Sequence, residues 1–497
     1  MTQKYQQFVT HLQKIADLEA VQAILGWDKE VNMPQEGGPV RARQLATVAG
    51  LNHELATSDQ LGEMLMDLKE NGTELEDRQR RNVALSWKEF NRQSKYTREF
   101  VERRSKLCSA AYETWVKARQ ENRSEEYLEV LDQVVQLKRE EAEILGYEEH
   151  PYDALLDLFE PEMTVADLDP LFSDVREQLV SFVAQIRQHP QVDDTFLKQH
   201  FPESEQWDFG LEVLKGIGYD FNAGRQDISP HPFTTTFGPG DIRVTTRIEE
   251  NNFGNMCWSC IHEGGHALYE QGLLREEYGL PLGKASSLGI HESQSRLWEN
   301  NVGRALPFWQ FWYPILQQRF KSQLSTVSLE QFYRGINKIE PSLIRTESDE
   351  LHYHFHILIR YEIEKQLIEG SLETRDLPEL WAQKYRDYLQ IEVPDQKRGL
   401  LQDIHWAYAS FGYFPTYSLG SFYATQFYQK AVEEIPGLEQ DISQGNPNDL
   451  LAWLREKVHR HGQYYSAADL CKEVTGEKLN FRFFMDYAEK KYEEIYS

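Results

Sequence analysis

The sequence predicts a mainly helical, all-α protein with one small β-hairpin or sheet beside a histidine-bearing helix. Apolar residues recur at three- and four-residue spacing through 2–27, 41–55, 75–145, 164–188 and 204–217, the period of one buried helix face. One segment breaks that rule. Residues 231–248 are rich in β-branched and aromatic side chains, in two alternating runs around Gly238-Pro239-Gly240, which is a hairpin signal. The 497 residues contain no Gly/Ser linker, internal repeat or low-complexity tract. A single domain over 1–497 is therefore expected, with a helical N-terminal lobe over roughly 1–200 and a site-bearing lobe over roughly 201–497.

The N-terminal stretch reads as an amphipathic helix without the apolar core of a signal peptide. Pro34, Gly37, Gly38 and Pro39 predict a loop after it, and Asn71-Gly72-Thr73 and Gly146-Tyr147 predict breaks. Lys138-Arg139-Glu140-Glu141 reads as a solvated helix face with i,i+4 pairing. Thr164 is placed to cap the helix that follows. A hydrophobic fraction of 40% supports a large core and excludes disorder as the main state. Lys and Arg number 53 against 80 Asp and Glu, a formal charge of −27. Such a surface repels nucleic acid and anionic membranes, so neither is an expected partner. Mean hydropathy is −0.62, and no apolar run approaches the ~18 residues of a membrane span. Four cysteines make no disulfide framework. A cytoplasmic location is expected.

Between Cys257 and Glu270 the chain contains His262-Glu263-x-x-His266. At ~100° per residue the two histidines lie about 40° apart on one helix face, so both imidazoles reach one ion. Glu263 stands beside them, placed to hold a water. A chance match arises in roughly 4–5% of chains of this composition. Gly264 and Gly265 each cost ~1 kcal/mol against Ala in mid-helix, which points to close backbone packing. Cys257, Cys260, Ile261, Gly264 and Leu268 share a separate, core-facing side. The two thiols therefore read as small buried hydrophobes, not a redox or metal pair. A catalytic zinc needs a third protein ligand, and no histidine follows at short spacing. A carboxylate on a later helix is the alternative: Glu292, 26 positions after His266, with Glu299 two turns on as runner-up. His352, His354 and His356 are read as groove wall or interface, since only the outer two share a helix face.

These residues resemble the carboxypeptidase Taq family of zinc-dependent metallocarboxypeptidases. The likeness rests on His231-Pro232-Phe233, Asp241-x-Arg243-x-Thr245, His262-Glu263-x-x-His266, His291-Glu292-Ser293-Gln294, Ile344-Arg345-Thr346-Glu347-Ser348-Asp349 and Gly399-x-x-Gln402-Asp403-x-His405-Trp406. The stretch 153–164 and the helical N-terminal half look like the family too. The resemblance implies a helical fold with a deep central groove, similar to angiotensin-converting enzyme and the neurolysin-type peptidases. It implies removal of single C-terminal residues with broad tolerance, C-terminal proline being disfavoured, by a homodimer. It implies one Zn2+ per chain, with Co2+ able to substitute, held by His262, His266 and Glu292, and Glu263 as general base. By the same likeness His405 and Tyr417, with Tyr408 next, stabilise the developing oxyanion. Arg345 is the expected clamp for the substrate's C-terminal carboxylate, since a planar fork pairs bidentately; the bland alternative is a salt bridge to Glu347 or Asp349. Arg243 and His231 are expected to line the end of the binding groove. The competing readings are an endo-acting zinc oligopeptidase with the same metal site and a catalytically dead peptide binder.

Overall fold

A computed structural model describes residues 3–497. Helices dominate, as the periodicity predicts. The N-terminal half contains α1 (Gln3–Val31), α2 (Gly38–Ala56), α3 (Asp59–Asn71), α4 (Asp77–Ser94), α5 (Arg98–Glu121), α6 (Glu125–Leu145), α7 (Pro151–Leu156), α8 (Val165–Ile186) and α9 (Glu203–Gly216). A short sheet follows. Then come α10 (Phe253–Gly272), α11 (Leu288–Arg296), α12 (Leu306–Arg319), α13 (Lys321–Leu324), α14 (Leu329–Ile336), α15 (His352–Glu369), α16 (Leu377–Leu389) and α17 (Pro415–Glu434), with further helices to Tyr496.

The punctuation works as the residue types dictate. At the start of α8 the Thr164 hydroxyl accepts from the Asp167 amide, and the Asp167 carboxylate accepts from the Thr164 amide, a reciprocal capping box. The long periodic run 75–145 divides twice, first between Ser94 and Arg98 and again where Asn122 adopts a left-handed conformation and closes α5. The expected Pro/Gly loop is shorter than predicted: a single 3-10 turn, Gln35–Gly37, leads straight into α2 with Pro39 in its first turn.

The hairpin forms as β2 (Thr234–Gly238) and β3 (Asp241–Thr246), antiparallel. The sequence reading missed β1 (Gln226–Ile228), which pairs parallel to β3; three residues are too few to show an alternation. The strand order β1-β3-β2 makes β2 an edge strand. Both β2 and β3 pack on α10.

Two compact units interleave along the chain. The first is Met1–Ser94, Asp193–Ile336 and Tyr423–Leu479; the second is Lys95–Val192, Asn337–Phe422 and Asn480–Ser497. Two expectations fail in the second unit. Lys138 and Glu141 are buried rather than solvated, and form an ion pair that Tyr96 and Arg104 also contact. His352, His354 and His356 are fully buried, so they line neither groove nor interface. Each turns its Nδ1 to a different partner, Asp349, Ser418 and the Tyr385 hydroxyl respectively. Nearly every residue of α15 is buried, which removes the distinction between faces on which the sequence reading relied. Among the described residues no helix is long and apolar enough to cross a membrane.

Candidate metal centre

Helix α10 carries His262, Glu263 and His266, and α11 carries Glu292. The two helices touch at Gly265. A Cβ there would sit 2.7 Å from the Gln294 carbonyl oxygen and 2.7 Å from Ser295 Cα. No side chain fits, so glycine at this position lets the backbone of α11 lie against α10 and brings Glu292 up to the histidines. The Ser287 hydroxyl caps α11 by accepting from the Ile290 amide.

One nitrogen of each histidine and one Glu292 oxygen lie within 4.8 Å of one another. Glu292 Oε2 is 3.4 Å from His266 Nε2 and 3.7 Å from His262 Nε2. The opposite ring nitrogens are held from behind: His262 Nδ1 lies 2.9 Å from Glu299 Oε2, and His266 Nδ1 donates to the His291 carbonyl at 3.1 Å. An acceptor behind each ring puts the proton on Nδ1 and leaves both Nε2 lone pairs facing the common point. Two imidazoles and one carboxylate, convergent and backed in this way, fit a divalent transition metal such as zinc. Burial alone would raise the Glu292 carboxyl, but Arg296 and the two histidines outweigh it and hold it well below the usual carboxylate range.

Glu299 stands on a π-helical turn, Leu297–Val302, that continues α11, a widened turn often found at functional sites. The runner-up ligand thus sits behind His262 rather than among the converging atoms. The Thr234 hydroxyl, on β2, lies 2.6 Å from Glu263 Oε2 and 3.0 Å from the backbone carbonyl of the same residue. Burial pushes the Glu263 carboxyl up, partly countered by His262 and the Thr234 hydroxyl. Two residues along, Thr236 donates to Glu270, whose other oxygen lies 2.9 Å from His291 Nε2. The His291 ring in turn stacks on His266 at a centroid distance of 4.5 Å.

His231 is exposed just ahead of β2, and Arg243 pairs bidentately with Asp241 at 2.7 and 2.8 Å while stacking over Trp27. Both belong to the first unit, and neither is among the groups that back the metal ligands.

Arg345, His405, Tyr408 and Tyr417 belong to the second unit. Arg345 lies on a 3-10 turn, Arg345–Glu347, and is 6% exposed. Its salt-bridge partner is neither Glu347 nor Asp349 but Asp403, which accepts from Nε at 3.1 Å and Nη2 at 2.9 Å. Nη1 donates to the Tyr353 hydroxyl at 2.9 Å. The other Asp403 oxygen accepts from Arg360 Nε at 2.7 Å. Despite burial, the two guanidiniums hold Asp403 far below the ordinary carboxylate range. His405 Nε2 lies 3.1 Å from the Tyr417 hydroxyl, and burial pulls its imidazole down to about 4, with Arg345 and Arg360 adding to the effect against Asp403. Tyr408, by contrast, is half-exposed and stacks on Tyr112 at 5.5 Å.

The sequence reading missed Thr234, Arg296, Arg360 and Asp403 as supporting groups. The Glu292-x-x-x-Arg296-x-x-Glu299 spacing was a visible signal for Arg296. Arg360 and Asp403 are 43 residues apart and carried none.

A His-Glu-x-x-His helix crossed by a glutamate-bearing helix defines a metallopeptidase site. Comparison with known proteins agrees. The family model for carboxypeptidase Taq (M32) metallopeptidases matches residues 7–492. Thermostable carboxypeptidase 1 of Thermus thermophilus is 41% identical, covering 99% of each chain, and carboxypeptidase 1 of Bacillus subtilis is 39% identical, covering 99% of this chain and 98% of its own. The crystal structure of an M32 carboxypeptidase from Deinococcus radiodurans superposes with a TM-score of 0.98 at 35% identity over the whole of both chains. The chain belongs to the carboxypeptidase Taq (M32) family, and its activity is that of a metallocarboxypeptidase, a peptide hydrolase.

Proposed function

We propose that the protein is a zinc carboxypeptidase that removes single C-terminal residues from peptides with broad specificity, disfavouring C-terminal proline. The observation that carries this is the convergence of His262 Nε2, His266 Nε2 and Glu292 Oε2 beside the Glu263 carboxylate. Bound there, one Zn2+, or Co2+ in its place, supplies Lewis acidity toward the scissile carbonyl and the attacking water. Glu263 Oε2 is occupied by Thr234, so Oε1 is the oxygen that takes the water's proton and passes it to the leaving amine. Burial, which raises the affinity of Glu263 for that proton, suits it to do both. His405 and Tyr417 donate to the oxyanion that develops on the carbonyl, with Tyr408 a weaker contributor to binding. Arg345 receives the substrate carboxylate through the N–H groups that Asp403 and Tyr353 do not use. Arg243 and His231 limit the peptide beyond the scissile bond. A cytoplasmic homodimer completes the reading.

Peptide mass ladders test it. A mixed-sequence peptide loses one residue at a time, and chelator or C-terminal amidation stops the loss. A second reading, internal cleavage by the same centre, draws on the prior engagement of Arg345 with Asp403. Under it the amidated peptide is cut as fast as the free acid.

A further inference from the structure

Glu292 presents its two oxygens to different neighbours. Oε2 faces both histidine Nε2 atoms, at 3.4 and 3.7 Å, with the Ser295 hydroxyl 3.2 Å away. Oε1 accepts from Arg296 Nε at 2.7 Å. Arg296 is itself fixed at its far end, where Nη1 lies 3.3 Å from Glu299 Oε2, the same oxygen that backs His262 Nδ1 at 2.9 Å. The contacts form a closed ring: Glu292, Arg296, Glu299, His262 and back to Glu292. Position sets the ring up, because Arg296 lies four residues after Glu292 and three before Glu299.

We propose that Arg296 is a positioning residue that makes Glu292 a one-oxygen ligand, keeping a coordination position open for water and the substrate carbonyl. The proposal rests on the reading that this donor set holds a divalent metal. A carboxylate with both oxygens unengaged can chelate a cation through the pair, as carboxylates do with larger ions. Two histidines and a chelating glutamate would fill the fourth position that a hydrolytic centre leaves open. A guanidinium on Oε1 opposes this: its charge-assisted hydrogen bond engages a lone pair of that oxygen, and its positive charge repels a cation drawn toward the same atom. It also offsets part of the charge of three buried glutamates, Glu263, Glu292 and Glu299.

The test uses the full-length protein stripped of metal and reconstituted with Co2+ alone, whose visible absorption weakens as coordination rises above four. In Arg296→Met the cobalt band is expected to lose severalfold in intensity. Metal affinity, read by chelator competition, is expected to hold or tighten because a neighbouring positive charge is gone. Turnover falls by about 10–100-fold, the usual size of effect for groups that orient metal ligands, and the fall is in kcat rather than KM. A purely structural role would instead weaken metal binding, turnover and apoprotein stability together. Glu299→Gln supplies the contrast: it leaves Arg296 on Glu292, so the band persists while metal affinity drops as the acceptor behind His262 loses its charge. Should Arg296→Met fail to fold, Arg296→Lys carries the same measurement, with a smaller expected loss of band intensity. An unchanged cobalt band in a folded Arg296 variant overturns the proposal alone. A wild-type protein that takes up neither Co2+ nor Zn2+ overturns the metal reading and the proposal with it.

Discussion

Each unit holds a charged cluster around its candidate site residues, and the two have opposite balances. In the first, four carboxylates, Glu263, Glu270, Glu292 and Glu299, gather around the histidines with two guanidiniums, Arg296 and Arg304. In the second, two guanidiniums, Arg345 and Arg360, share the single carboxylate of Asp403. Buried charge is costly unless it is matched. An excess of carboxylates suits a cation, and an excess of guanidiniums suits an anion. The first cluster also turns three donor atoms toward one point, whereas the second closes on itself through Asp403. The sign of the surplus therefore indicates the kind of ligand each cluster would suit, and the convergence of lone pairs marks the candidate metal centre.

The sharpest break in this comparison is Glu263→Gln, which leaves the donor set intact. Turnover is expected to fall by about 10²–10⁴-fold with metal content unchanged, checked by kcat beside metal analysis. Asp403→Asn comes next. It leaves two buried guanidiniums without a counter-ion and is expected to destabilise the second unit by about 3–5 kcal/mol, read by urea unfolding. Metal should act on the first cluster only. At a hundredfold excess over its Kd it adds about 2.7 kcal/mol, and chelator removes that gain equally in the wild type and in Asp403→Asn.

The remaining effects are spread across pH. His405 is held down at about 4 against an ordinary 6.5. Between those values the unfolded chain binds a proton that the folded one does not. Stability from this group is complete above pH ~6.5 and is lost as pH falls toward ~4. Glu364 runs the other way. Burial pushes it to about 7 from 4.5, against the donors Gly412 N–H, Tyr152 O–H and Trp406 N–H. The folded state then holds the extra proton, and stability declines as pH rises from ~4.5 to ~7. His405→Gln should flatten the acid-side slope and Glu364→Gln the other, each measured by unfolding free energy across pH 4–8.

The metal helix was legible because its chemistry is local: His262, Glu263 and His266 lie within one turn, and Gly265 announced a close approach that α11 supplies. The hairpin was legible from alternation, and Thr234 and Thr236 on it face the helix as period two requires. Glu292 was reached through likeness to a family and through the room that 26 residues give for a second helix to return. What stayed hidden was mostly non-local or uniformly buried. Asp403 meets Arg345 across 58 residues and Arg360 across 43, with no periodic signal joining them. Lys138 read as surface because charge usually is, and only packing shows it paired with Glu141 inside. The interleaving of three segments per unit had no linker to mark it.

The contact at Gly265 also constrains which sequences can fill this scaffold. Any larger residue there meets main-chain atoms of α11 that cannot swing aside, whereas at Gly264 the neighbours are only the tips of Leu214 and Ile217. A saturation library across the pair should therefore return alanine at the first glycine and almost nothing but glycine at the second. Selection at Gly265 would thus act on a residue that touches neither metal nor peptide, through the spacing of two helices alone.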